Sequence, residues 1–370
     1  MNAGELAAAD AAFGTDLYAR LAGPGNLVFS PASIAAALRM ALIGARGETA
    51  TELAHVLHLP GEAGSLAGVA RNASAALAGF RAGRDLTLRT VNTAWVDQAV
   101  VVRRSFLDQP VEVAEADFRH QPDAARRQVN AAIAEQTAGK VTDLIAPGLI
   151  SDLTRLILVS AIYLKARWEH EFPAADTRKD AFYPERSGPA QADMMRLRAT
   201  LAYVQGDGYQ AVLLPYRGGP AALAVVLPDG PLSRFALADH GGLATIVHGL
   251  LRAGECQVDL RLPRFTITAG FLLGDTLRAL GAATAFGADA DLSGIADGER
   301  LAVSEVVHQA FIDVDEQGTE AAAATAMAIA AMALRAPRRP VVLTADRPFL
   351  FAVVETGSGL PLFLGQLTRP

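Results

Sequence analysis

The chain has 370 residues, 51% hydrophobic and 19% charged, with a formal net charge of −6. That is soluble globular usage, and an acidic balance with Arg interspersed among Asp and Glu argues against a nucleic-acid partner. The single cysteine, Cys256, excludes an internal disulfide and any CxxC metal or redox site, and it suits a reducing compartment.

Met1-Asn2-Ala3-Gly4-Glu5 lacks the basic start and apolar core of a signal peptide, so a cytoplasmic protein is expected, or a secreted one if a leader has been removed. Leu6, Phe13, Leu17 and Leu21 fall at helical spacing, and Gly23-Pro24-Gly25 ends that helix. In Asn26-Leu27-Val28-Phe29-Ser30-Pro31-Ala32-Ser33-Ile34, Ser30 reads as an N-cap and Pro31 as the first residue of a helix running to Gly44. Thr49 to Leu59 predicts a short helix carrying His55 and His58. Asp85 to Trp95 alternates as a strand, followed by Val101 to Leu107 and Val111 to Phe118. Asp123 to Thr137 is an amphipathic helix with Val129, Ala132 and Ile133 inward.

Thr154 to Leu164 is almost wholly apolar, as in a strand buried on both faces, and it leads to Lys165-Ala166-Arg167-Trp168-Glu169. Strands follow at Ala211 to Pro215, Ala222 to Leu227 and Val258 to Phe265, then a helix from Leu272 to Leu280. Val306-Val307-His308-Gln309-Ala310 and Phe311-Ile312-Asp313-Val314-Asp315-Glu316 read as a strand. Val341 to Thr344, Phe349 to Val354 and Phe363 to Leu367 close the chain in β-rich runs. No repeat, linker or low-complexity tail interrupts it, so residues 1–370 are expected to form one domain.

Gly318 to Pro340 does not fit this alternation. Its Ala-rich core has the propensity of a plain helix. It is too short an apolar run to span a bilayer, because it ends at Arg335. As a strand from Thr319, it would put Thr319, Ala321, Ala323, Thr325, Met327 and Ile329 on one face and Glu320, Ala322, Ala324 and Ala326 on the other. With no bulky side chain before Met327, such a strand would slide between two others without overpacking them.

The run Glu316-Gln317-Gly318-Thr319-Glu320-Ala321-Ala322-Ala323-Ala324 resembles the hinge of the serpin family, and the resemblance extends through Phe29-Ser30-Pro31-Ala32-Ser33, Gly139 to Ile145, Trp168 and Phe363 to Leu367. It implies an α+β fold of three β-sheets surrounded by eight or nine α-helices, with a reactive loop exposed at about 318–340. It also implies an irreversible suicide-substrate inhibitor of serine, and by extension cysteine, proteases. The protease cuts the loop, and the segment 318–331 inserts into the central sheet. The inhibitor is not itself an enzyme and takes no cofactor and no metal. The usual loop length sets the scissile bond at Met332-Ala333, with Leu334-Arg335 and Arg335-Ala336 as alternatives. Met332 suits an apolar primary pocket, as in elastase-, chymotrypsin- or subtilisin-like enzymes. A monomer without nucleic-acid or membrane partners is expected. A non-inhibitory carrier or chaperone is the other family reading, disfavoured by the small apolar hinge.

The resemblance further assigns Ser30, Ser33, Ser160 and His308 to a polar cluster below the central sheet and Trp168 to its top. Asn is usual where Ser160 stands, so a looser or water-bridged cluster is expected. A titrating His308 would make sheet opening sensitive to mildly acidic pH. Relative to the family, the chain is several residues short near 104–112.

Other chemistry is poorly represented. There is no Gly-x-Ser-x-Gly elbow, His-Glu-x-x-His helix or Walker loop, and Gly206-Asp207-Gly208 precedes a strand where a dinucleotide site needs a helix. His55 and His58 lack a third metal ligand. Cys256 reads as a small buried hydrophobe.

Overall fold

The computed structural model describes residues 1–60, 68, 85–137, 139, 142–298, 300–319 and 340–370. Helix α1 (Ala3–Leu21) opens on a capping box between Asn2 and Glu5. Strand β1 (Leu27–Phe29) leads to α2 (Pro31–Gly44), which the Ser30 side chain caps by accepting from the Ser33 N–H. Every residue of α2 is buried, including Arg39, whose guanidinium pairs with Asp10 of α1. Helix α3 (Gly47–Val56) stops short of His58, which turns into left-handed backbone at φ 52°. His55 and His58 therefore do not share a helix face, and His58 Nε2 lies 2.7 Å from Asp16 Oδ2.

The central sheet has the order β10-β11-β12-β4-β2-β3. Its strands are β2 (Leu86–Asp97), β3 (Glu112–Ala116), β4 (Leu156–Arg167), β10 (Phe265–Leu272), β11 (Glu305–Val314) and the two-residue β12 (Gly318–Thr319). The region that looked short holds a single turn, α4 (Arg104–Leu107). Helix α5 (Pro122–Gln136) packs Val129 and Ile133 with Val159, Ala161 and Val307 on one face of this sheet.

The second network comprises β1, β5 (Arg178–Phe182), β6 (Ala190–Gln205), β7 (Tyr209–Pro215), β8 (Ala221–Pro228), β9 (Glu255–Pro263), β13 (Val341–Thr344), β14 (Phe349–Glu355) and β15 (Pro361–Leu367). The three implied sheets appear as two hydrogen-bonded networks because β6 serves two of them. Its Ala202–Gln205 end pairs with β7, and Met194–Ala202 pairs with β9. Helices α6 (Gly242–Arg252) and α7 (Gly274–Leu280) bring the α-helices to seven among the described residues. Leu272 belongs to β10, so α7 starts two residues later than its apolar pattern implies. Gly206–Gly208 forms the β6–β7 turn, and Cys256 is half-buried on β9, where burial holds its thiol above the ordinary value.

Candidate functional site: the mouth of the central sheet and the cluster beneath it

β4 and β11 lie side by side as a parallel pair from Glu305 opposite Ile157 to Phe311 opposite Tyr163. Beyond Phe311 they diverge, and β12 fills the gap. Thr319 pairs antiparallel with Val314 on one side, and Gly318 and Thr319 pair with Arg167 and Ala166 on the other. Gly318 and Thr319, at the start of the Ala-rich run, thus already occupy the mouth of the sheet. Gly318 is needed there, since a Cβ would come 1.9 Å from the Ala166 carbonyl oxygen.

Side chains fix this entry. Asp315 Oδ1 accepts from the N–H groups of Gln317 (2.8 Å) and Gly318 (3.0 Å), turning the chain back on itself. Trp168 donates its indole N–H to the Asp315 carbonyl at 2.8 Å and its backbone N–H to Gln317 at 2.9 Å. It stacks on Tyr216 with ring centroids 4.5 Å apart, and the Tyr216 hydroxyl lies 2.7 Å from that of fully buried Thr319. Arg264 grips Glu316 through Nε (2.6 Å) and Nη2 (2.5 Å), and Thr177 donates to the same carboxylate at 2.5 Å. Burial would raise the Glu316 carboxyl, but these hydrogen bonds outweigh it and hold the group below its ordinary value. Trp168, Glu316, Gly318 and Thr319 therefore meet at one place, joined by Tyr216, Arg264 and Thr177. Nothing in the local sequence marks these last three. The remaining hinge residues Glu320 and Ala321 to Ala324, and Met332, Ala333, Leu334, Arg335 and Ala336, lie outside the described residues.

Lower down, Ser30, Ser33, Ser160 and His308 converge, each fully buried. The Ser30 N–H donates to His308 Nε2 at 3.0 Å. That nitrogen must be bare, so the proton sits on Nδ1, 3.1 Å from Ser160 Oγ. Ser160 Oγ in turn donates to Ser33 Oγ at 2.9 Å. These are direct bonds, in contrast to the looser, water-bridged arrangement expected of a serine at position 160. The missing amide comes from Asn92, which β2 holds directly opposite Ser160. Turned so that its NH2 faces inward, Asn92 donates to Ser33 Oγ and to the carbonyls of Ser33 and Val91, each at 3.0 Å. Only the cross-strand register reveals Asn92 as a member.

Complete burial pushes the His308 imidazolium down to about 3, so its titration lies below the mildly acidic range anticipated above. In the unfolded chain this imidazole takes up a proton below its ordinary value of 6.5, whereas in the folded chain it does not. Stability should therefore fall as pH drops from 6.5 towards 3. His308→Gln should flatten the slope of unfolding midpoint against pH relative to the parent chain. Parallel slopes would show that His308 is not held neutral.

Among the described residues no three His, Cys, Asp or Glu gather as metal ligands, and no helix is long and apolar enough to cross a membrane. The serpin (serine protease inhibitor) family model matches residues 8–370. An uncharacterized serpin-like protein of Thermococcus kodakarensis is 36% identical over 97% of this chain and 84% of its own length. The leukocyte elastase inhibitor of Bos taurus is 33% identical over 99% of this chain and all of its own. The crystal structure of human thyroxine-binding globulin complexed with thyroxine superimposes with a TM-score of 0.86 at 25% identity, covering 100% of this chain and 99% of that one. With a closed central sheet, a hinge seated at its mouth and a family match over nearly its whole length, the chain belongs to the serpin family.

Proposed function

We propose that this serpin is an irreversible inhibitor of serine proteases that acts by inserting its cleaved loop. A target protease attacks the loop and forms an acyl-enzyme through its own nucleophile. The freed segment then enters the central sheet as a strand before the ester is hydrolysed, and the attached protease is carried along. The observation that carries this reading is the geometry of β12, which runs antiparallel to both β4 and β11. Stepping its register on by one residue per side sets Ala328 between Glu305 and Ile157, which already oppose each other. The flanking strands need only part sideways, with no slip in register. In the same frame Thr325 falls between His308 and Ser160, where a hydroxyl can replace the hydrogen bond that parting breaks.

Incubation with elastase-, chymotrypsin- and subtilisin-like enzymes is expected to give an SDS-stable complex with at least one of them. Mass spectrometry of the released C-terminal peptide should show it beginning at Ala333. A peptide beginning at Arg335 or Ala336 would move the scissile bond to one of the alternatives.

A second reading, a ligand carrier, draws on a cavity of about 620 Å³ beside α1, lined by Tyr18, Leu232, Phe235 and Gln366. Its size suits a small apolar molecule, and one similar structure holds thyroxine. A carrier would be cut by every protease in the panel without forming a complex.

A further inference from the structure

The sheet surface at the foot of the loop carries an unusual grouping of charge. β13, the first described strand after residue 319, pairs in parallel with β9, and β9 pairs with β6. Two cross-strand rows result: Thr344, Arg261 and Arg196, and beside it Val342, Asp259 and Arg198. Paired residues share a face, so these six side chains form one continuous patch. Arg178 of β5, opposite Met194, extends it.

Arg261 and Arg196 stand directly opposite each other, which is unfavourable for like charges. Asp259 relieves only part of this. It accepts from Arg196 Nε at 2.9 Å and Nη2 at 2.5 Å and from Arg198 Nε at 2.9 Å, so both its oxygens are held by that pair. Among the described residues the guanidinium groups of Arg261 and Arg178 have no ion-pair or hydrogen-bond partner, although both backbones are paired in the sheet. Asp176 and Asp180 share the rim, so four guanidinium groups face three carboxylates. Between them lies a depression of about 380 Å³ lined in part by Met194, and Val342, 58% exposed, stands on the same face opposite Asp259. The arrangement keeps uncompensated donors around a cavity, next to the strand into which the reactive loop runs.

We propose that this four-arginine patch is a secondary docking site for an acidic surface segment of the protease held on the loop, with Arg261 and Arg178 accepting its carboxylates and Val342 its apolar flank. The proposal rests on the inhibitory reading and adds to it a source of target selectivity. A protein partner fits better than a polyanion. The patch is small and interleaved with aspartates rather than drawn out into a basic track, and the whole chain carries a net charge of −6. Rim charges of this kind act mainly on the rate of encounter, and salt screens them.

The test is the second-order rate of SDS-stable complex formation for the parent chain, Arg261→Glu and Arg178→Glu, at low and high salt, with whichever panel protease the parent traps fastest. At low salt each variant is expected to react at least about five-fold more slowly. The fraction of cleavages ending in complex should be unchanged, and the difference should vanish at high salt. If Arg261→Glu lowers the melting temperature, Arg261→Gln supplies the same reading without charge reversal. Equal rates at low salt would overturn the docking site while leaving inhibition intact, as would a deficit that persists at high salt. Acceleration of the parent by heparin, lost in the variants while their unassisted rates match, would assign the patch to polyanions and also overturn it. If the parent forms complex with no protease, the inhibitory reading fails and the docking site with it.

Discussion

Cleavage near Met332 is expected to raise the melting temperature of this protein by about 10 °C or more. Cutting a loop normally destabilises, because it frees the ends and enlarges the unfolded ensemble. Here the cut releases a segment whose first two residues are already paired on both sides at the mouth of the sheet. The direct β4–β11 pairing that must break spans seven residue pairs, from Glu305–Ile157 to Phe311–Tyr163. It would be replaced by two antiparallel ladders, each as long as the strand, and antiparallel pairing is slightly the stronger per residue. At about 0.5–1.5 kcal/mol per net hydrogen bond, with small side chains buried besides, the gain is on the order of 10 kcal/mol. That is comparable to the whole stability of an ordinary domain, so under the proposed mechanism the uncut form would be a kinetic trap. Differential scanning calorimetry before and after limited proteolysis checks it. A melting temperature that stays or falls would count against insertion and, with it, against the inhibitory mechanism.

Ala323→Glu is expected to convert the inhibitor almost entirely into a substrate. Continuing the observed register of β12, position 323 lies between Ile162 and Ala310, both fully buried in the apolar cluster beneath the central sheet. A carboxylate there has no partner, and insertion would require its burial unpaired or its protonation, at a cost of several kcal/mol. Insertion slows, hydrolysis of the acyl-enzyme wins, and cleaved protein accumulates in place of complex. Position 324 faces the other way, beside half-buried Gln309 and fully buried Ala161, where helix α5 covers part of the surface. Ala324→Glu should therefore lose less, because a half-exposed polar neighbour lets water reach the charge. The measurement is the fraction of cleavage events that end as SDS-stable complex. Equal losses at the two positions would mean that the segment does not enter in this register.

Much of this architecture is written in local patterns. The apolar run of β4, the Ser30 cap with Pro31 at the start of α2, and the alternation of β11 each depend on neighbours a few residues away, so composition and spacing suffice to read them. Helix α6 is not among the elements expected above, although Leu243, Ile246, Val247 and Leu250, all buried, fall at helical spacing, and the small side chains after Gly318 announce a segment able to become a strand. Strand β6 gives a weaker signal, because its faces change partners along its length and the alternation of burial breaks down with them.

The sequence by itself determined the family and named Ser30, Ser33, Ser160 and His308 as one polar cluster. Only the tertiary structure decided what depends on register between distant strands. Pairing of β2 with β4 sets Asn92 opposite Ser160 and restores an amide that position 160 lacks. Packing seals His308 from water and moves its titration out of the physiological range. The approach of Tyr216, Arg264 and Thr177 to residues 316–319 depends in the same way on contacts far apart in the chain. Hydrogen bonds and desolvation act over a few ångströms of space, and for these groups that proximity exists only once the sheet has formed.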